Sequence, residues 1–88
     1  MTWKIEFEDA AAKELRKLDR QAQKEILTYL RNRIATQEDP RRFGKPLTHN
    51  LASLWRYRVQ NYRIICNIED KKLIVLIVRV AHRKEVYE

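Results

Sequence analysis

An α+β fold is what this chain predicts: an initial strand, a helical hairpin, then a three-stranded antiparallel meander. Three observations predict it. The first residues alternate apolar and polar, which is the period of a strand with one buried face. The next stretch carries apolar residues at helical spacing. From Leu54 to Tyr87, three strand-like runs follow one another through two tight turns. The order β-α-α-β-β-β implies helices packed on one face of an antiparallel sheet. Its 88 residues suit one domain, 1–88, with no internal repeat or boundary.

In Thr2 to Glu8, Trp3, Ile5 and Phe7 face one way and Lys4 and Glu6 the other. Asp9 is placed to cap a helix, since its carboxylate can accept from the free amides of a first turn. Ala11, Leu15 and Leu18 then share one side, and Asp19 is placed as a second cap. Beyond it Ala22, Ile26, Tyr29, Leu30 and Ile34 form an apolar stripe, with Lys24, Arg31 and Arg33 on a face read as solvated. Two helices in a hairpin are expected, with one bent helix as the alternative. Thr36 to Ser53 is a long irregular stretch punctuated by Pro40, Gly44 and Pro46. Its Arg41, Arg42 and Lys45 fit either a phosphate-contacting loop or an ordinary connection.

In Leu54 to Gln60, Trp55, Tyr57 and Val59 alternate with Arg56, Arg58 and Gln60. Gln60-Asn61 suits a two-residue turn, because Asn tolerates positive φ. Tyr62, Ile64, Cys66 and Ile68 then line one face and leave Arg63 on the other. Glu69 to Lys71 suggests the second turn. Lys72 to Val80 is apolar on both faces and is expected to be a central strand.

Composition narrows the function. Hydrophobic residues at 44% support one thin core, while 19 Lys and Arg against 12 Asp and Glu give a charge of +7. For so small a chain that is a strong positive field, which suits nucleic acid first and an acidic protein second. The single cysteine, Cys66, excludes an internal disulfide framework and sits in an apolar run, as an inert buried thiol does. His49 and His82 stand far apart without cysteine partners, so no metal site is expected. The longest apolar run, Leu73 to Val78, is too short to span a bilayer, and nothing at the N-terminus reads as a signal segment. A cytoplasmic, metal-independent protein is the expectation.

Residues two apart on a strand project from the same face, so Arg56 and Arg58 form a guanidinium pair. An antiparallel return through Gln60-Asn61 brings Arg63 back close to Arg58. Three arginines without an alternating acid repel one another, at a few tenths to about 1 kcal/mol per pair, and so favour an anion. Cleaving RNA needs stabilisation of a pentavalent phosphate, an acceptor for the 2′-hydroxyl proton, and a donor to the leaving oxygen. Arginine suits the first role through bidentate contacts but is a poor proton acceptor. His82 has the most suitable unperturbed pKa for proton transfer, and Arg83 follows it. Tyr87 can stack on a splayed-out base or donate a proton. Arg41, Arg42, Lys45 and Lys84 are the candidate RNA-binding cations.

At WRYRVQNYRII and the terminal HRKEVY the sequence resembles the RelE family of bacterial toxins, and the similarity extends over nearly the whole chain. The resemblance implies a toxin of a type II toxin–antitoxin system. Its activity would be that of an endoribonuclease cutting mRNA in the ribosomal A site. The attack would be by the 2′-hydroxyl, without metal or cofactor, leaving a 2′,3′-cyclic phosphate. Implied partners are a RelB-like antitoxin, the ribosome with its 16S rRNA, and mRNA. By the same resemblance Arg63 stabilises the transition state, Arg83 serves the leaving group, and Tyr87 stacks on the substrate base. Arg56 and Arg58 fall where RelE has lysines, one of them a proposed proton acceptor. Proton transfer is therefore expected to lean on His82, on Tyr87 or on a ribosomal RNA group. The alternatives are a ParE-like inhibitor of DNA gyrase and a non-catalytic RNA-binding module.

Overall fold

A computed structural model describes residues 1–47 and 54–82. The predicted site residues Arg83, Lys84 and Tyr87 lie outside that range. The element order is β1 (Lys4–Phe7), α1 (Asp9–Arg16), α2 (Arg20–Tyr29), β2 (Lys45–Pro46), β3 (Leu54–Val59), β4 (Tyr62–Glu69) and β5 (Ile74–His82). A π-helical turn, Leu30–Ile34, extends α2, and a 3-10 turn spans Pro40–Arg42. The strands form one five-stranded sheet in the order β1-β5-β4-β3-β2.

Two features of this sheet differ from the expected antiparallel meander. β1 runs parallel to β5, with Lys4 opposite Ile74 and Phe7 opposite Ile77, so the sheet is mixed. β2 adds a short antiparallel edge inside the stretch read as irregular, pairing Lys45 with Arg56 and Pro46 with Trp55. Proline is tolerated there because an edge strand has no outer neighbour requiring its N–H.

Asp19 caps α2 as expected, its Oδ1 accepting the Ala22 N–H at 2.7 Å. The other cap is different. α1 begins at Asp9 itself, preceded by Glu8, whose side chain makes no capping bond. Asp9 thus contributes negative charge to the first turn, where the helix dipole favours it. The apolar stripe is buried as its spacing requires, with Ile26 and Ile34 fully enclosed and Leu30 at 1% exposure. Ala11 and Leu15 of α1 join them over Tyr57, Ile64, Cys66, Val75 and Ile77. Burial pushes the Cys66 thiol up to about 12, and its Sγ contacts the Trp55 carbonyl at 3.6 Å, so this cysteine is an inert core group.

The β3–β4 turn falls at Gln60-Asn61, between the paired Val59 and Tyr62. Gln60, not Asn61, carries the positive φ, 55°. A positive φ at the first central residue alone is the II′ pattern, whose preferred occupant there is glycine. Gln60→Gly is expected to stabilise the fold by about 0.5–1 kcal/mol, the relief of left-handed strain exceeding the added unfolded-state entropy. Urea denaturation of the two proteins, compared at equal m, measures it.

β5 carries one extra residue opposite the Ile65/Cys66 step of β4: Ile65 pairs with Arg79 and Cys66 with Ile77, which leaves Val78 unmatched. The bulge changes which residues reach the core. Val75 and Ile77 are buried before it, and Val80 after it. Beyond the end of β1, Glu14 of α1 takes over on that side of β5. Its Oε1 accepts the Val80 N–H at 2.8 Å, and its Oε2 accepts from Arg79 Nη2 at 3.3 Å.

Candidate functional site

The register of β3 and β4 builds a cationic face. Tyr57 and Val59 point to the helices and are buried, so Arg56 and Arg58 take the opposite face of β3. Arg58 stands directly across from Arg63, and Lys45 directly across from Arg56. Directly opposed residues have Cβ atoms about 4.5–5.5 Å apart. Lys45, Arg56, Arg58 and Arg63 therefore share one patch turned away from α1 and α2. Arg58 is exposed, Arg56 half-buried, and Arg63 only 9% exposed. Burial, and then the charge of Arg58, hold the Arg56 guanidinium below its ordinary value. Loss of water around a cation lowers it in this way, and the neighbouring guanidinium adds to the effect.

His82 does not join the arginines. It pairs with Tyr62, whose ring meets it edge-on at 5.7 Å, and Tyr62 packs against the helix-side core. Together with Glu14, Lys17, Leu18 and Val80 the two rings line a cavity of about 420 Å³ between α1 and the end of β5. The sheet thus stands between His82 and the arginine face.

Of the candidate RNA-binding cations, Lys45 lies on the arginine face, while Arg41 is engaged elsewhere. Arg41 Nη1 and Nη2 donate to the two carboxylate oxygens of Asp70 at 2.9 and 2.8 Å, and Asp39 lies 3.7 Å away. The bidentate contact ties the 3-10 turn to the β4–β5 turn. Its hydrogen bonds with Arg41 hold the Asp70 carboxyl below its ordinary value. A carboxylate so lowered stabilises the fold above its unfolded pKa of about 3.9 and loses that contribution as pH falls through its folded value. The urea midpoint should therefore drop between pH 5 and pH 2.5. Asp70→Asn should shrink that drop, as a paired titration of both proteins would show.

Arg42 takes a different position. Its guanidinium lies 4.9 Å from the centre of the Phe43 ring, and that of Arg33 lies 5.5 Å from it and 5.6 Å from the Tyr29 ring. Arg33 is thus not simply part of a solvated helix face. Phe43 has a sequence signal of its own, an aromatic set among basic residues beside the one glycine.

The segment that carries Phe43 is pinned to β3. Trp55 Nε1 donates to the Phe43 carbonyl at 2.7 Å, and the Tyr57 hydroxyl donates to the Pro40 carbonyl at 2.7 Å. The Asp39 side chain accepts the Arg41 N–H at 2.9 Å and so caps the 3-10 turn. Gly44 sits at φ 75° with its α-carbon against β3, where a Cβ would meet the Arg56 carbonyl oxygen at 2.2 Å. No group of His, Cys, Asp and Glu suited to a metal ion occurs among the described residues.

Comparison with known proteins places this geometry in a family. Residues 5–87 match the family described as ParE toxin of type II toxin-antitoxin system, parDE. Toxin RelG of Mycobacterium tuberculosis is 30% identical over 87 residues, which cover 99% of this chain and 98% of RelG. The crystal structure of the RelBE2 toxin–antitoxin complex of Mycobacterium tuberculosis superposes with a TM-score of 0.84 at 29% identity, covering 94% of this chain and 93% of that one. The archaeal RelE–RelB complex from Pyrococcus horikoshii gives 0.72 at 23% identity, over 98% of this chain and all of its counterpart. The last of these speaks for the fold alone. The chain belongs to the RelE/ParE superfamily of toxins of type II toxin–antitoxin systems, and its fold is RelE-like.

Proposed function

We propose that this toxin is a ribosome-dependent endoribonuclease that cleaves mRNA in the A site and so stops translation. The observation that carries the reading is the direct opposition of Arg58 and Arg63 beside Arg56 on the face turned away from the helices. Guanidinium groups so placed can hold the scissile phosphate and neutralise the charge that grows on its equatorial oxygens. Arg63, being nearly enclosed, suits charge stabilisation, because a cation in a water-poor setting acts more strongly on a developing anion.

The 2′-hydroxyl is the nucleophile and no metal is required. With His82 on the other side of the sheet, proton transfer falls to Tyr87 or to a ribosomal RNA group, and Arg83 serves the leaving oxygen. A ribosome that holds the message in line supplies the orientation, so the toxin need supply only charge and stacking. Naked RNA should then be cut poorly. The partners on this reading are the message, the ribosome and a RelB-type antitoxin, in the cytoplasm. The last is supported by the RelBE2 toxin–antitoxin complex among the structural relatives.

Toeprinting on translating ribosomes tests the proposal, with Arg58→Ala as the control because Arg58 is exposed and its loss leaves the core intact. Cuts within the A-site codon, weak in the control and weak on naked message, are expected. A ParE-like inhibitor of DNA gyrase is the second reading, favoured by the description of the family that the chain matches. Inhibition of gyrase supercoiling by the purified protein, with no cuts on ribosomes, would replace the first reading by the second.

A further inference from the structure

Beside the arginine face lies a cleft of about 260 Å³, lined by Tyr29, Phe43, Gly44, Lys45, Arg56 and Arg58. It opens at the sheet edge where β2 has ended and, among the described residues, no strand pairs with the outer side of β3. Its chemistry is that of a base-stacking site. Phe43 is half-exposed, meets Tyr29 edge-on at 6.3 Å, and carries the Arg42 and Arg33 guanidinium groups near its ring. Neither Arg33 nor Arg42 pairs with a carboxylate among the described residues. Their charge is thus left for an incoming anion, in contrast to that of Arg41.

The platform is also rigid. The Trp55 and Tyr57 hydrogen bonds, the Asp39 cap and the close approach of Gly44 fix the backbone on both sides of Phe43. Single-stranded RNA is read by splayed bases stacked on aromatic rings or on guanidinium planes, with cations along the backbone. All three components meet here within a few residues.

We propose that the cleft at Phe43 is a nucleotide subsite: a base of the same RNA strand held by Arg58 and Arg63, one flanking the cleaved position, stacks against Phe43 and Arg42 while Lys45 and Arg56 hold its phosphate. The inference rests on the endoribonuclease reading and adds to it a second point of contact with the message. Continuity argues for one strand, since Arg56 and Arg58 line both the face and the cleft. Two contacts on one strand fix its direction across the sheet, as one contact cannot.

The test uses the whole protein and a short, unstructured, fluorescein-labelled oligoribonucleotide, 2′-O-methylated so that it binds without being cut. Anisotropy titrations compare wild type with Arg42→Gln, Phe43→Leu and Arg58→Ala. Arg42→Gln alters only an exposed side chain, and Phe43→Leu keeps apolar bulk against the core, so both should fold. Each of these two should weaken binding roughly fivefold or more, the size of a lost base-stacking contact. In a second arm a benzophenone-bearing phenylalanine analogue replaces Phe43, and the protein is irradiated on programmed ribosomes, where crosslinks to the message are expected. Binding that falls in Arg58→Ala but is unchanged in both cleft variants would overturn the subsite and leave the nuclease reading standing. Crosslinks to ribosomal RNA alone would do the same. No binding of the oligoribonucleotide by any of the proteins, with no crosslink to the message on ribosomes, would overturn the subsite, while toeprinting decides the nuclease reading independently.

Discussion

An Arg63→Ala variant, assayed by toeprinting on translating ribosomes, is expected to cut roughly 10²–10³ times more slowly than wild type, the cost of removing one preorganised group that stabilises a developing anion. Arg63 combines three properties that single it out. It is only 9% exposed, it stands across from Arg58, and its neighbour on β5 is the small Ala81. A cation so enclosed has little water to shed when charge appears on a phosphate beside it. Arg63→Lys should recover little, because an ammonium keeps the charge but loses the planar fork that meets two phosphate oxygens at once. Thermal denaturation run in parallel separates a loss of chemistry from a loss of fold. Undiminished cleavage by a folded Arg63→Ala protein would refute the role assigned to it.

Gly44→Ala is expected to have the largest effect on stability, a loss of about 2–5 kcal/mol from left-handed strain and steric overlap together. The added methyl group would meet the Arg56 carbonyl oxygen at 2.2 Å, Trp55 Nε1 at 2.8 Å and Tyr57 Cδ1 at 2.9 Å. The first contact is with backbone inside a paired strand, which has nowhere to move. The second is with the group that donates to the Phe43 carbonyl. Relief would require the 3-10 turn and β2 to lift from β3, which would open the cleft at Phe43 as well. A denaturant midpoint close to that of wild type would show that the segment yields more easily than this geometry implies.

Local chemistry made much of the fold legible in the sequence. Asp19 precedes a stripe that only a helix could bury, and the meander was visible in the alternation around Trp55, Tyr57 and Val59. What escaped depended on non-local partners or on counting. β2 is two residues long, too short for any period to register. The parallel pairing of β1 with β5 joins segments from opposite ends of the chain, a choice that alternation alone does not express.

His82 shows the counting problem most clearly. Uninterrupted alternation from Val75 and Ile77 sets it on the face away from the core. The unmatched Val78 reverses the alternation, so Val80 and His82 turn towards the helices. The arginines carry no such ambiguity, because β3 and β4 pair without interruption from Leu54 to Val59. The ion pair of Arg41 was hidden for another reason: its partner, Asp70, lies in a turn that only the folded chain brings near.

The placement of β1 also bears on how the molecule is made. Its hydrogen-bonding partner is the last described strand, so during synthesis the first strand waits, exposed, until nearly all of the described chain has emerged. Contacts that span so much of a chain close slowly, and domains acquire their fold as units rather than piecemeal. β4, which carries Arg63, is flanked by β5 and gains that neighbour only at that same late moment. On the function proposed above, a nascent toxin of this topology is therefore unarmed while the ribosome that makes it is still at work on it.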